Sequence, residues 1–554
     1  MSKLLTIIIL VLIVLFGSYL RLANLGSNPN GLYVDEAATG VNAWSILQTG
    51  KDEYGKDFPL AFRFFGSYTP PLYTYLTSQV MRFNGLSVYS IRLTSAISGI
   101  LLIVVFFLIL KSLDGFGFRI TLLTATALFA IVPWAIFYSR IGYEVNLAFL
   151  LYSLGVLFLA LSLRKSLNLI PGLIFLSLST NAYHSERLLA HLTVILFLII
   201  FKKELLIREN IKIFILGFAC YLIILIPQLL IFFTPANTNR GFGLFYADAV
   251  IRQAHQINFL PMFLSAPLAF FREFFSQYFS YFSPRNLFFQ GDSDLQRSIP
   301  EASVFYWWMA VFYVVGLFNL VKSIKVKTSR FIVIILMLAP IPAALTGDPF
   351  STQRSLPLLL PLMLVMSLGL DKILKWKLIP SLGFIFILSA FSLVYLYRSL
   401  AVLLPNERAK EWGYGFSQLS DEIKKRPGEK FLIDASRIKP AYIELAFYLK
   451  IPPEELQKSV DLNLKNRYYQ DTKWSDHYIL DGFETRRINW EEDIYQNEYL
   501  VGDELAVSES QAKEHFLEKA FEIRNPSHEI IFQGYKTNPA LKCRHEFIKD
   551  KCKI

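Results

Sequence analysis

The sequence places two adjacent carboxylates, Asp35 and Glu36, shortly after its first apolar stretch. A carboxylate on the water side of a membrane can take the proton of a hydroxyl group while that hydroxyl attacks another molecule. An Asp directly before a helix is also a good N-cap, and a Glu at the next position suits the helix dipole. On position alone, an N-cap role for Asp35 is the simpler interpretation. The surroundings of the two carboxylates instead favour a role in a reaction.

That setting consists of three short loops, each with a single basic residue, and in each loop this residue is Arg: Arg140, Arg187 and Arg354. A guanidinium offers a fixed fork of donors that suits a phosphate, and it stays charged near lipid. One such Arg is readily explained by a side chain that extends to the lipid headgroups. Three of them, with no Lys in the same loops, indicate a bound anion.

Three further polar residues are candidates for substrate binding. Glu144 follows Arg140 in the same loop and either bonds a substrate hydroxyl or pairs with that arginine. His184 lies in a polar segment between apolar runs, where a lone His is usually a satisfied polar residue. An alternative is that His184 binds a metal ion together with a carboxylate of the loop 25–88, but no other residue indicates a metal site. Asp292 follows Gly291 at a turn that either contacts the substrate or only closes its loop.

The composition requires a membrane. Of 554 residues, 54% are hydrophobic, 15% aromatic and only 18% charged, and the mean hydropathy is +0.41. These values lie outside the range of soluble domains. The net charge of +11 would suit a nucleic-acid partner, but the loop positions of Lys and Arg account for it, and no nucleic acid is expected.

Apolar runs long enough to cross a bilayer predict about eleven spanning helices, near residues 4–24, 89–110, 120–138, 145–163, 168–183, 187–201, 213–234, 303–321, 331–346, 352–370 and 378–400. The first run is longer than a usual signal-peptide core and lacks a clear cleavage site, so we expect it to be retained. The fifth and sixth runs are short, which suits helices that are tilted or partly re-entrant.

The loops between these runs differ in charge. One alternating set contains Lys111, Arg119, Arg164, Lys165, Lys202, Lys203, Arg208, Lys212, Lys322, Lys325, Lys327, Arg330, Lys372, Lys375 and Lys377. The other short loops have only the three arginines named above. By the positive-inside rule, the first set and the N-terminus are cytoplasmic. The long loops 25–88 and 235–302 and everything after residue 400 are then outside the cell membrane.

Amphipathic patterns predict local structure in these outer segments. Residues from Ala37 to Leu47 suit a helix on the membrane surface that ends at Gly50, and a second helix follows Pro70 and Pro71. In the loop 235–302, aromatic stretches at 242–251 and 270–282 suit contact with lipid or with a lipid tail.

The polar region 401–554 predicts a second, small α/β domain beside the spanning domain 1–400. A charged helical stretch at 407–425 and short strand-like runs at 430–434 and 529–533 support this prediction. The domain either binds the acceptor or a glycan, or only caps the bundle. Cys543 and Cys552 are nine positions apart, so they form either a small disulfide in an oxidising compartment or two free thiols.

Several segments resemble membrane glycosyltransferase family 39, which includes the protein O-mannosyltransferases and is similar to the lipid A aminoarabinose transferases of the GT-C fold. The resemblance covers roughly residues 20–235 and rests on Leu32–Ala37 (LYVDEA), Gly50–Gly55 (GKDEYG), Pro59, Tyr68–Tyr73 (YTPPLY) and Ser90–Leu93 (SIRL). It extends more loosely to Gly291, Asp292 and the segment Thr346–Arg354.

The resemblance implies an inverting transfer of a hexose or pentose from a polyprenyl-phosphate donor to a hydroxyl acceptor. Asp35 would be the base, with Glu36 beside it, and Glu144 the second acid, a position at which better-known members often have Asp. The leaving phosphate needs its charge held, which is a role for Arg187, Arg354 and either Arg92 or Arg140. The partners would be the donor, membrane lipids and the acceptor; the cofactor is unknown, and a divalent metal is conceivable without being indicated.

Three other classes of protein would also use some of these features. A flippase or transporter needs many helices, but its site usually lies near the bilayer midplane on broken helices. An enzyme that ligates or polymerises pyrophosphate-linked glycans would use similar Arg and carboxylate groups. A sensor or scaffold has little use for them.

Overall fold

The structure, a computed structural model, describes residues 2–113, 119–205, 211–238, 247–257, 259–438, 440–460, 462–546 and 548–552. Arg208 and residues 242–246, which figure in the predictions above, lie outside the described residues. The chain divides into two compact units. The first comprises Met1–Leu25, Thr69–Tyr73 and Arg92–Leu400, and the second comprises Gly26–Tyr68, Thr74–Ile91 and Ala401–Ile554.

Each of the eleven predicted runs contains a helix. The main helices that lie wholly or mostly in the first unit are Lys3–Leu22, Val88–Ser112, Arg119–Ile131, Pro133–Arg140, Glu144–Ser162, Leu169–Thr180, His184–Ile200, Ile211–Leu230, Ala247–Gln256, Met262–Ser280, Ala310–Lys322, Lys327–Leu338, Leu359–Trp376 and Leu378–Tyr397. Within the described residues, seven helices are long and apolar enough to cross a membrane, or eight if one bent pair counts as a span. The protein is therefore a multi-pass membrane protein, and the number eleven stays a prediction.

The bent pair consists of Arg119–Ile131 and Pro133–Arg140, which meet at 50°. Pro133 lacks an N–H group and cannot continue the helical hydrogen bonding, so carbonyls before it lose their usual partners. Other parts of the first unit supply replacements: Arg21 Nη1 donates to the Ala130 carbonyl at 2.9 Å, and the Tyr306 hydroxyl donates to the Ile131 carbonyl at 2.7 Å. These bonds fix the direction in which the helix continues towards Arg140.

Helices Ala310–Lys322 and Leu359–Trp376 pack through two glycines. A Cβ atom on Gly316 would lie 2.0 Å from the Val365 carbonyl oxygen, and one on Gly369 would lie 2.1 Å from the Phe312 carbonyl oxygen. Small residues at such crossings let two helix backbones approach closely, which is a main source of helix association in membranes.

We therefore expect Gly369→Ala to lower the stability of the purified protein by about 1–3 kcal/mol, because the added methyl group forces the helices apart. Thermal unfolding in detergent measures the effect. Gly383→Ala is the matched control, since a Cβ atom at Gly383 meets nothing within 4 Å. Equal midpoints for the two variants would show that the close crossing contributes no stability.

The second unit contains a six-stranded mixed sheet in the order Tyr478–Leu480, Phe483–Arg486, Phe431–Asp434, Tyr499–Gly502, Ile530–Lys536 and Glu518–Arg524. The strand Phe431–Asp434 runs parallel to both of its neighbours, and the outer pairs are antiparallel. Its main helices are Val34–Thr49, Phe416–Lys424, Ala441–Leu449 and Pro453–Ser459. The small C-terminal α/β region predicted from sequence is confirmed.

Two local predictions about this unit have different outcomes. Cys543 and Cys552 form a disulfide, so the alternative of two free thiols is wrong. The prediction that the helix after Asp35 lies on the membrane surface is also wrong. Helix Val34–Thr49 ends at Gly50 as expected, but every residue from Glu36 to Ala43 is buried within the second unit. Its pattern reflects burial against protein on more than one face.

Candidate functional site

The carboxylates Asp35 and Glu36 belong to the second unit and occupy the first turn of helix Val34–Thr49. Tyr33, not Asp35, is the N-cap residue, so the N-cap interpretation of Asp35 is wrong. Glu36 Oε2 accepts a hydrogen bond from the Tyr33 backbone N–H at 3.2 Å, and the Glu36 side chain is fully buried. Asp35 is only partly buried, and its place in the first turn puts it at the positive end of the helix dipole.

The segment before this helix is held by the C-terminal part of the second unit. A Cβ atom on Gly31, whose φ angle is +149°, would lie 2.0 Å from the Trp412 carbonyl oxygen. The ring of Trp412 also packs edge-on against Tyr33 at 6.2 Å between centroids. Only Gly fits this approach, and a residue more than 370 positions away along the chain thus helps to set the start of the helix.

The same unit buries a second pair of carboxylates, Asp52 and Glu53, which lie in the segment Gly50–Gly55 of the family resemblance. Glu53 accepts hydrogen bonds from Asn42 Nδ2 at 2.9 Å and from the Tyr442 hydroxyl at 3.0 Å. Burial raises the pKa of Glu53 to about 8 and that of Asp52 to about 6. Both residues are enclosed, so the pair serves the fold of this unit.

In the first unit, Glu144 is the first residue of helix Glu144–Ser162, and its Oε1 accepts a hydrogen bond from Thr69 Oγ1 at 3.1 Å. The charge of Glu144 acts on a second carboxylate, Glu186, which is fully buried. Neither oxygen of Glu186 accepts a hydrogen bond from another described residue. Glu186 is not among the residues predicted for the site, because only folding brings the starts of helices Glu144–Ser162 and His184–Ile200 together.

Three buried arginines form a chain of like charges near the bend in the first unit. Arg140 Nη1 donates to the Leu20 carbonyl at 2.9 Å, and Arg92 Nη1 donates to the Leu25 carbonyl at 3.3 Å. The guanidinium groups of Arg21 and Arg140, and those of Arg140 and Arg92, lie close enough to repel each other. Arg21 was not a candidate, since it lies inside the first apolar run. The three side chains bring three positive charges together in this part of the bundle.

The other two predicted residues of this region take part in local contacts. Arg187 Nη1 donates to Asn237 Oδ1 at 2.5 Å. His184 is the first residue of helix His184–Ile200, beside the ring of Tyr183. Among the residues that the structure describes, no three His, Cys, Asp or Glu side chains are grouped so that they could hold a metal ion.

Asp292 and Arg354 are connected through two residues that were not predicted, Arg297 and Asp348. Arg297 forms ion pairs with Asp292 at 3.4 Å and with Asp348 at 2.9 Å, and Arg354 pairs with Asp348 at 2.8 Å. Asp292 Oδ2 also accepts hydrogen bonds from the backbone N–H of Thr352 at 2.8 Å and from its hydroxyl at 2.9 Å. The network joins the loop after Gly291 to the loop before helix Leu359–Trp376.

Burial raises the pKa of Asp292, although the charge of Arg297 opposes the shift. For Asp348 burial also acts upwards, but hydrogen bonding from Arg297 and the charge of Arg354 prevail and lower its pKa. The network therefore holds Asp348 ionised between two guanidinium groups. The Arg354 side chain, which pairs with Asp348, is 21% exposed.

Solved structures resemble this chain over almost its whole length. ArnT from Cupriavidus metallidurans, bound to undecaprenyl phosphate, matches with a TM-score of 0.54 at 12% identity, covering 96% of this chain and 98% of ArnT. The apo state of the same protein gives 0.56 at 13% identity with the same coverage. This chain has the GT-C fold.

The GT-C fold was expected from the resemblance of the first outer loop, and that expectation is confirmed. The archaeal oligosaccharyltransferase AglB from Archaeoglobus fulgidus, in complex with an inhibitory peptide and a dolichol-phosphate, also matches, with a TM-score of 0.48 at 14% identity over 80% of this chain and 64% of AglB. No protein-family model matches the sequence, and no curated protein matches it significantly.

Proposed function

We propose that this protein is an inverting glycosyltransferase that moves a sugar from a polyprenyl-phosphate donor to a hydroxyl acceptor on the outer face of the cell membrane. The observation that carries the proposal is the match over nearly the full length to ArnT, which has been solved with undecaprenyl phosphate bound. The disulfide Cys543–Cys552 supports an extracytoplasmic second unit, because such bonds persist in oxidising compartments.

In the proposed reaction, Asp35 takes the proton of the acceptor hydroxyl while the hydroxyl oxygen forms a bond to the anomeric carbon. The bond from that carbon to the phosphate oxygen breaks on the opposite side, and polyprenyl phosphate leaves with the electron pair. A phosphate monoester is a good leaving group and needs no general acid. Its charge needs stabilising, which is the proposed role of the accessible arginines.

Among the predicted arginines, Arg354 and Arg187 are the best candidates for phosphate contact. Arg92 and Arg140 each use a guanidinium nitrogen on a backbone carbonyl near the end of the first helix, so we assign them to the positive field of the site. His184, Glu36 and Asp292 support the positions of neighbouring groups in this proposal. Glu144 is assigned to the donor sugar, since a carboxylate is a strong acceptor for hydroxyl groups.

The test is a transfer assay with purified full-length protein in nanodiscs and a panel of polyprenyl-phosphate hexoses and pentoses, with membrane extract as the acceptor. We expect free polyprenyl phosphate and labelled acceptor in equal amounts from at least one donor. If no donor is consumed and the protein instead moves a labelled lipid across vesicles, the flippase alternative replaces the proposal. Consumption of pyrophosphate-linked donors alone would favour a glycan ligase.

We expect Glu144→Gln to lower transfer roughly 10–100-fold, because the variant loses a charged hydrogen-bond acceptor towards the donor. The assay above, run with the donor that the wild type accepts, measures the effect. Thr69→Val is the matched control: it removes the bond from Thr69 Oγ1 to Glu144 and leaves the carboxylate in place, so its loss should be smaller. Full activity of Glu144→Gln would exclude Glu144 from the site.

A further inference from the structure

A groove lies between three helices of the first unit, Ala310–Lys322, the last turns of Leu359–Trp376, and the start of Leu378–Tyr397. Its volume of about 910 Å³ is within the range of roughly 300–1,000 Å³ that holds whole small-molecule ligands. The groove is far along the bundle from the candidate site residue Arg354. Helix Leu359–Trp376 begins five residues after Arg354, and the groove begins at Lys372, which lies roughly 20 Å further along the helix.

One rim of the groove is basic. Lys372, Lys375 and Lys377 all line it. Lys375 pairs with Asp371 at 2.6 Å, and Lys377 lies 5.0 Å from the centroid of the Trp376 ring. Within the described part of the chain, Lys372 forms no ion pair. The rim therefore carries more positive than negative charge, and the positive-inside rule places it at the cytoplasmic surface.

The walls of the groove are apolar and not covered by protein. Val311 is 58% exposed and Phe384 is 62% exposed, and Val315 lies one turn from Val311 on the same helix face. Phe384 follows Lys377 by seven residues, which puts it about 10 Å further along the helix from the basic rim. The groove thus combines a cationic end with an apolar path that leads away from it.

We propose that this groove binds an anionic phospholipid of the inner leaflet. The phosphate would contact the lysines, and an acyl chain would lie against Val311, Val315 and Phe384. Basic pockets between membrane helices on the cytoplasmic side suit such headgroups. The distance from Arg354 and the predicted position on the cytoplasmic side distinguish this site from that of the proposed donor, and the proposal does not depend on the reaction.

The test uses purified full-length protein in a neutral detergent, titrated with phosphatidylglycerol or with phosphatidylcholine, and read out by native mass spectrometry and thermal unfolding. We expect phosphatidylglycerol to bind and stabilise the wild type more than phosphatidylcholine does. In the triple variant Lys372→Gln/Lys375→Gln/Lys377→Gln its affinity should fall about tenfold to a hundredfold. The triple variant Lys202→Gln/Lys203→Gln/Lys212→Gln, from another predicted cytoplasmic loop, should keep it.

Phe384→Ala is a second variant, which leaves the charge unchanged and should weaken phosphatidylglycerol binding through the lost apolar contact. Equal binding of both lipids by the wild type, or unchanged phosphatidylglycerol affinity in the first triple variant, would overturn the proposal. So would competition in which polyprenyl phosphate displaces phosphatidylglycerol from the wild type at much lower concentration, since the groove would then serve the carrier lipid. Because the three lysines are exposed, their substitution is not expected to prevent folding.

Discussion

Asp35→Asn is expected to lower sugar transfer by roughly 10²–10⁴-fold, the usual contribution of a general base, with little change in thermal stability. Asn has nearly the same shape as Asp but cannot take the proton of the acceptor hydroxyl. The main objection to Asp35 as the base was that it could instead be a helix N-cap. The structure removes this objection, because Tyr33 is the N-cap residue and Glu36 accepts its backbone N–H. The measurement is the nanodisc transfer assay, with thermal unfolding of the same preparations.

Glu36→Gln is the informative comparison for Asp35→Asn. Glu36 is fully buried and accepts the Tyr33 N–H, so its replacement should act mainly on stability and on the position of the helix. If Asp35 is the base, the two variants differ in both measurements. Asp35→Asn is stable and inactive, whereas Glu36→Gln is less stable and keeps residual transfer. Undiminished transfer by Asp35→Asn would remove Asp35 from the mechanism.

Much of the first unit could be predicted from sequence because hydropathy acts locally. An apolar run of membrane length has little alternative to a helix in lipid, since its backbone groups must be bonded within the segment. The run 120–138 is predicted as one span, and hydropathy does not show the bend within it. Pro133 was visible in it, but the bend also needs Arg21 and Tyr306 to satisfy the freed carbonyls, and hydropathy does not identify these partners.

The candidate site was only partly predictable for a related reason. Asp35, Glu144 and Arg354 stood out because each is a charged residue beside an apolar run. Arg297 and Glu186 depend on tertiary contacts: the first on ion pairs with Asp348 and Asp292, the second on its nearness to Glu144. Charge patterns along the chain give candidates, but only the fold shows which of them meet.

The buried pair Asp52 and Glu53 leads to a prediction about pH. The pKa of Glu53 rises from 4.5 to about 8, chiefly through burial, with the charge of Asp52 adding to the shift and Asn42, Tyr442 and Arg63 opposing it. Between these two values the folded protein holds a proton that the unfolded chain has released. Stability therefore falls as the pH rises from about 4.5 to about 8 and is insensitive to this group above that range. Asp52, with a pKa raised from 3.8 to about 6, acts in the same direction at lower pH.

We expect Glu53→Gln to remove most of this dependence. Gln keeps the size of Glu and can still bond Asn42 and Tyr442, but it does not ionise. Relative to the wild type, the variant should gain stability as the pH rises from about 5 to 8, by an amount on the order of a few kcal/mol. Denaturant unfolding of the full-length protein in detergent, followed at several pH values between 4 and 9, measures the difference.

The pH range in which the stability of a variant departs from that of the wild type identifies which carboxylate causes the pH dependence. Asp52→Asn should flatten the dependence between about pH 4 and 6, whereas Glu53→Gln should act up to about pH 8. Parallel curves for the wild type and Glu53→Gln would mean that Glu53 is ionised in the folded state or reaches water. If the curves diverge as expected, a neutral Glu53 links the first loop to Tyr442 in the C-terminal part of the second unit, across 389 positions of sequence. The loop that contains Asp35 would then depend on residues after 400 for its stability, so truncating the chain there should cost activity even though the proposed base is retained.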